Sequence, residues 1–179
     1  MRFTTIIRLF LTALWLGAAI FFSVAVAPSA FGVLRDSQIA NADGLAGAVV
    51  NRTLTIINIS GLIIGAILLV SSFAGTKTLN RIGVWTERIL LFLMTAACVV
   101  GQFVIGAWMS VLRLQMGKPI AEVGADDPLK IQFDALHKYS MWVLFAAMIT
   151  ALLVFFVISL KSDTTVTVEK KEPLNFDKI

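Results

Sequence analysis

At 179 residues with a formal net charge of +4, the chain is 58% hydrophobic and only 15% charged, with a mean hydropathy of +0.89. This is far more apolar surface than one compact core of that length needs, and the natural solvent for the excess is lipid. The positive charge sits in flanks and a tail, as membrane topology signals do, so it argues for no nucleic-acid partner, and the single cysteine, Cys98, excludes an intrachain disulfide and any CxxC or Cys/His zinc site.

Four uncharged windows lie between Arg8 and Arg35, Arg52 and Lys77, Arg88 and Arg113, and Lys138 and Lys161, holding 26, 24, 24 and 22 residues. About 20 apolar helical residues cross the hydrocarbon at roughly 1.5 Å each, so the pattern predicts an all-α fold, an integral membrane four-helix bundle. The first span is read over 4–27, with Pro28 kinking the helix or letting it run on through "SAFGVL". "MRFTTIIR" before an apolar run, with "AVA" at 25–27, imitates a secretory signal. The run from Leu9 to Ala27 exceeds the usual length of about 7–15 residues and proline is poor after a cut, so the segment is expected to remain as a span.

The connector "RDSQIANADGLAGAVV", with room for a short interfacial turn, leads to a second span over 50–74. "GTKTLNRIG" is short, which makes the second and third spans antiparallel neighbours. The third span covers 85–112, and "GKPIAEVGADDP" after it reads as an exposed loop from its glycines, prolines and acids. The fourth covers 133–160, and the polar tail 161–179 is expected to hold little structure of its own. Nine basic residues fall on the side of the termini and six on the other, so the positive-inside rule predicts cytoplasmic termini. Trp108, Tyr139 and Trp142 would then anchor the outer interface and Trp85 the inner one.

Lipid tails are as apolar as leucine, so membrane helices associate through close packing and hydrogen bonds, with small and polar residues in the seam. On span two Asn51, Asn58, Gly65 and Ser72 recur every seven residues, with Thr55 and Gly61 close to the stripe. Span three carries Thr95, Cys98, Gln102 and Gly106 at helical spacing, and the two faces are expected to pack together. Within that seam Asn58 and Gln102 are read first as interhelical bridges and second as the lining of a polar path or pocket. Gly61 and Gly65 form a GxxxG, which could also drive a homodimer.

Met94 and Cys98, one turn apart, are candidate soft ligands for a metal such as Cu(I), with Met109, Met116, Met141 and Met148 elsewhere; methionine is also ordinary filler of apolar cores. Glu87 and Arg88 fall at the inner end of span three, where an interfacial or intramolecular ion pair is expected. The sole histidine, His137, stands in "FDALHKYS", with Asp134 three residues before it and Phe133 and Ser140 on the same face. His137 and Asp134 could hold a haem, chlorophyll or copper cofactor, the carboxylate orienting the imidazole, or His137 could serve only to anchor the helix at the interface. Bis-histidine haem within one chain is excluded. No P-loop, GxGxxG, HExxH, nucleophile elbow or carboxylate pair occurs in the spans, so no enzymatic activity is expected.

"LWLGAAIFFSVAVAPSAFGVL", "VLR" and "FDALHKYS" together resemble the transmembrane protein 205-like family of four-helix membrane proteins, over about residues 9–160. The landmarks that match are Trp15 and Gly17, Ala27 and Pro28, Phe31, then Phe133, Leu136, His137 and Ser140. Where the resemblance leads one to expect a proline late in span three, the chain reads "IGAWMSVLR". It implies an architecture more than an activity: members are loosely associated with tolerance of metal compounds, and a similar fold occurs in copper-resistance membrane proteins. The resulting expectation is a small, non-enzymatic membrane protein that handles a solute or metal ion. The alternative is an accessory subunit of a respiratory or photosynthetic membrane complex, its small-residue stripes facing partner helices.

Overall fold

Four long helices carry the chain: α1 Phe3–Asp36, α2 Ala42–Ala74, α3 Arg81–Met116 and α4 Pro128–Glu169. The computed structural model describes the backbone of residues 3–39, 41–74 and 81–169, and side chains as far as Leu160 apart from residues 74 and 121. The connector at 75–80 and the tail beyond Glu169 lie outside the described residues. Each helix is long and apolar enough to cross a membrane, and among the described residues there is no strand. At 34 and 36 residues, α1 and α3 measure about 50 Å, well beyond the roughly 30 Å of hydrocarbon, so they continue past the apolar slab as helix.

That surplus sets the helix limits wider than the apolar windows. The first helix does not end at 27: its turn at Phe22–Val26 widens to π geometry, with the Ala27 N–H donating to the Phe22 carbonyl. A widened turn moves the backbone off the register in which the Pro28 ring would strike the fourth carbonyl back, and the helix proceeds to Asp36. The second begins at Ala42 instead of 50, because "ADGLAGAVV" is rich in alanine, a strong helix former, although it lacks an apolar stripe. Asn41, at φ 62°, makes the sharp turn before it. The third helix runs to Met116 and stops at Gly117, whose φ of 60° suits a left-handed helix end. The fourth begins at Pro128, with the Leu129 N–H donating to Asp127 Oδ1 at 2.8 Å, and is continuous to Glu169. Asp127→Ala lowers stability by about 1 kcal/mol and Asp127→Asn by much less, measured by thermal unfolding in detergent.

Four side-chain contacts fix the direction of the helices. Arg8 near the start of α1 pairs with Glu87 near the start of α3, and Arg88 Nη2 donates to the Ser72 carbonyl near the end of α2 at 3.3 Å. At the other end Arg35 Nε meets Asp43 Oδ1 at 2.6 Å, joining the end of α1 to the start of α2. The Arg113 guanidinium lies 5.1 Å from the centre of the Phe133 ring, joining α3 to α4. The chain therefore runs up, down, up and down, with α1 and α4 starting and finishing at one end, here the terminal end, and both other connectors at the loop end. Helices α1 and α3 each pack between α2 and α4.

Three apolar clusters are stacked along this axis. Leu68, Leu91, Val154 and Ile158 fill the terminal half, Trp15, Cys98, Met94 and Ala147 the middle, and Ile105, Met109, Leu112 and Phe133 join α3 to α4 at the loop end. Outward stand large apolar side chains such as Phe21, Ile56, Phe92 and Phe156, which is the surface that a lipid solvent requires. Trp85, Trp108, Tyr139 and Trp142 are also exposed.

Candidate functional site

The seam between α2 and α3 closes tightly in the middle of the bundle and opens toward the loops. At Gly61 an added Cβ would lie 2.6 Å from Trp15 Nε1 and 2.7 Å from Cys98 Sγ, so only glycine admits both neighbours. A Cβ at Gly65 would collide with the Thr95 hydroxyl. The glycine pair is thus filled from within the bundle, by α1 and α3, and is not available as the dimer face considered from the sequence. Trp15 uses the approach: its Nε1–H donates to the Ile57 carbonyl at 3.0 Å, in the turn that precedes Gly61.

One turn further toward the loops, α3 changes geometry. Val100–Gly106 forms a π-helical stretch in "VGQFVIG", ending where "IGAWMSVLR", the segment in which the resemblance led one to expect a proline, begins. Such stretches are rare and recur at functional sites, because the wider turn re-aims side chains. Beyond it α2 and the Ala107–Met116 part of α3 barely touch. The resulting gap, closed on its third side by α4, is a cavity of about 530 Å³.

The cavity holds most of the polar residues singled out in the sequence. Asn58 and Gln102 both line it, together with Asn51, Gly106, Asp134, His137 and Ser140. Among the described residues neither Asn58 nor Gln102 makes the interhelical hydrogen bond expected of it. Asn58 lies instead against Gly101, where an added Cβ would approach its amide nitrogen to 3.3 Å. Gly106 likewise borders the cavity and does not pack in the seam. Asn58 and Ser140 are only 5% and 7% exposed, yet among the described residues neither side chain has a hydrogen-bond partner. Their polar atoms are not among the fully buried unpartnered ones, so the little surface they keep is accessible, and both residues line the cavity, where they are available to water or a polar ligand.

His137 and Asp134 share its rim, both exposed, without a hydrogen bond between them. The pair can contribute to a polar site, but among the described residues no three His, Cys, Asp or Glu side chains come together. Met94 and Cys98 lie elsewhere, in the apolar middle cluster, fully buried, with Met148 packed against the same cluster. Sequence reading missed Arg113 as a site residue. Its signal was its place as the charge that closes the third apolar window, beside "FDALHKYS" in the folded chain.

From Asp43 at the mouth to Asn58 at the floor, α2 lines about 22 Å of this cavity. Below Asn58 the middle and terminal apolar clusters fill the bundle, and the Arg8–Glu87 pair closes its far end.

Fold and cavity together define an integral membrane four-helix protein with a part-open cavity, lined by both polar and apolar residues, in its loop-end half. The chain belongs to the family described as Domain of unknown function (DUF4149), which matches residues 10–118. That match includes Trp15, Asn58, Gln102 and Arg113 and ends before α4, so His137 and Ser140 stand outside it. No curated protein and no solved structure gives a match to the chain.

Proposed function

We propose that this membrane protein binds a small polar solute in the chamber between α2, α3 and α4, received from the loop end. The observation that carries the reading is the pair Asn58 and Ser140, each more than nine-tenths buried, unpartnered and facing the same cavity. Intramembrane polar groups are expensive and those left without a protein partner mark solute and ion paths. The apolar clusters below Asn58 make the chamber a half-channel, so passage across the membrane requires the helices to separate at Trp15 and Gly61. The basic-residue bias, nine against six, supports cytoplasmic termini, with the mouth of the chamber on the opposite side. Trp15, Gly17, Ala27, Pro28 and Phe31, all within the family match, support placing the chain with the transmembrane protein 205-like proteins.

Thermal unfolding of the detergent-purified protein against a panel of small polar solutes tests the reading. At least one solute raises the midpoint of the natural protein in a saturable manner, and Asn58→Leu, which fills the floor with an apolar side chain, abolishes the rise. A panel in which no solute acts, or one whose effects Asn58→Leu leaves intact, contradicts it.

A further inference from the structure

We propose that the ligand carries an anionic oxygen group, a carboxylate or a phosphate, and that Arg113 receives it at the mouth of the chamber. This rests on the binding reading above and adds the chemistry of the ligand.

The charges that line the chamber are not equally available. Arg35 and Asp43 neutralise each other at 2.6 Å. Lys130 Nζ is turned to the Ile120 carbonyl at 3.4 Å. Asp134 is exposed on the rim and outside ion-pair distance of any described cation. Arg113 is half-buried and, among the described residues, has no carboxylate partner and no hydrogen bond; its one contact of this kind is the Phe133 ring, 5.1 Å away. A desolvated cation without a counter-charge is costly, and a bound anion removes that cost. The cation–π contact with the ring also helps to hold the guanidinium in place while using none of its N–H donors, which remain available to a carboxylate or phosphate.

The rest of the chamber fits a larger molecule attached to that group. From Phe133 to Ser140 is about 10 Å along α4, so a ligand anchored at Arg113 reaches the floor only through an extended body. The Asn58 amide, the Gln102 amide and the Ser140 hydroxyl there both donate and accept, which suits hydroxyl or carbonyl groups. A soluble organic anion meets this description, and so does the headgroup of an anionic lipid.

The test uses the full chain and two probes, inorganic phosphate in detergent and nanodiscs of phosphatidylglycerol against phosphatidylcholine. With chloride at equal ionic strength as reference, phosphate raises the unfolding midpoint of the natural protein, and Arg113→Gln weakens the apparent affinity about 10-fold or more, with Arg113→Lys between the two. A rise only in phosphatidylglycerol discs, again dependent on Arg113, assigns the group to a lipid headgroup and supports the proposal equally. Equal stabilisation by all anions, or shifts that persist in Arg113→Gln, overturns it. Failure here leaves the chamber itself intact if neutral solutes still stabilise the protein through Asn58, which separates this inference from the reading beneath it.

Discussion

Trp15→Ala destabilises the bundle by about 3–5 kcal/mol, the usual cost of deleting a buried large aromatic side chain. Trp15 is 2% exposed at the centre of the middle cluster, and its Nε1–H is spent on the Ile57 carbonyl of α2 at 3.0 Å. The substitution removes the contact between α1 and α2 and opens a void beside Cys98 and Gly61. Gly61→Ala is expected to cost about 1–3 kcal/mol by overpacking against the same ring. The two do not add. With Trp15 gone the new methyl group has space on one side, so Gly61→Ala in the Trp15→Ala background costs less than it does alone, and a double-mutant cycle of unfolding in detergent reads the difference. Additive losses would show that the glycine is needed for some other reason.

Glu87→Ala is the second large loss, again about 3–5 kcal/mol, because removing one partner of a buried ion pair leaves the other charge uncompensated. The Glu87 side chain is 4% exposed and that of Arg8 19%, with the pair set diagonally across the bundle between α1 and α3. Arg88, next in sequence, does not answer for it. Successive residues on a helix do not face each other, and Arg88 turns to the Ser72 carbonyl and to the Phe73 ring at 4.0 Å. The double variant Arg8→Met with Glu87→Leu recovers much of the loss, since well-packed apolar residues can replace a buried pair at little cost. Thermal unfolding of the single and double variants checks this, and a double variant no better than Glu87→Ala would contradict it.

Four spans and their order were legible because charge is expensive in hydrocarbon, so its absence between Arg8 and Arg35, or between Arg88 and Arg113, marks a membrane segment directly. Helix limits were not legible from the same signal. Outside the apolar slab a helix has no need of an apolar stripe, so α2 starts in "ADGLAGAVV" and α4 at the "DDP" capping signal, several residues before the apolar runs that were used to place them. The small-residue lines on α2 and α3 pointed to close approach at Gly61 and Gly65, but not to the residues that fill it. Trp15 is 42 positions from its Ile57 acceptor, and Arg8 is 79 from Glu87, separations at which spacing carries no information. The chamber was visible only in pieces. Asn58, Gln102, Asp134 and His137 each stood out as polar residues in an apolar chain, while their convergence depends on the π-helical turn at Val100–Gly106 and on the parting of α2 from α3, which no residue pattern announced.

The lone cysteine permits a direct measurement of that chamber. Cys98 is 1% exposed, so the natural protein in sealed membranes is expected to be inert to a small, charged, membrane-impermeant methanethiosulfonate. Lys118→Cys in the exposed loop reports which face of the membrane the reagent meets. With reagent on that face, Ser140→Cys and Asn58→Cys become labelled although both positions are more than nine-tenths buried, whereas the lipid-facing Ile56→Cys does not. Labelling of Lys118→Cys with none at Ser140→Cys or Asn58→Cys would mean that no polar chamber reaches the floor at Asn58, and the proposed binding site would fall with it.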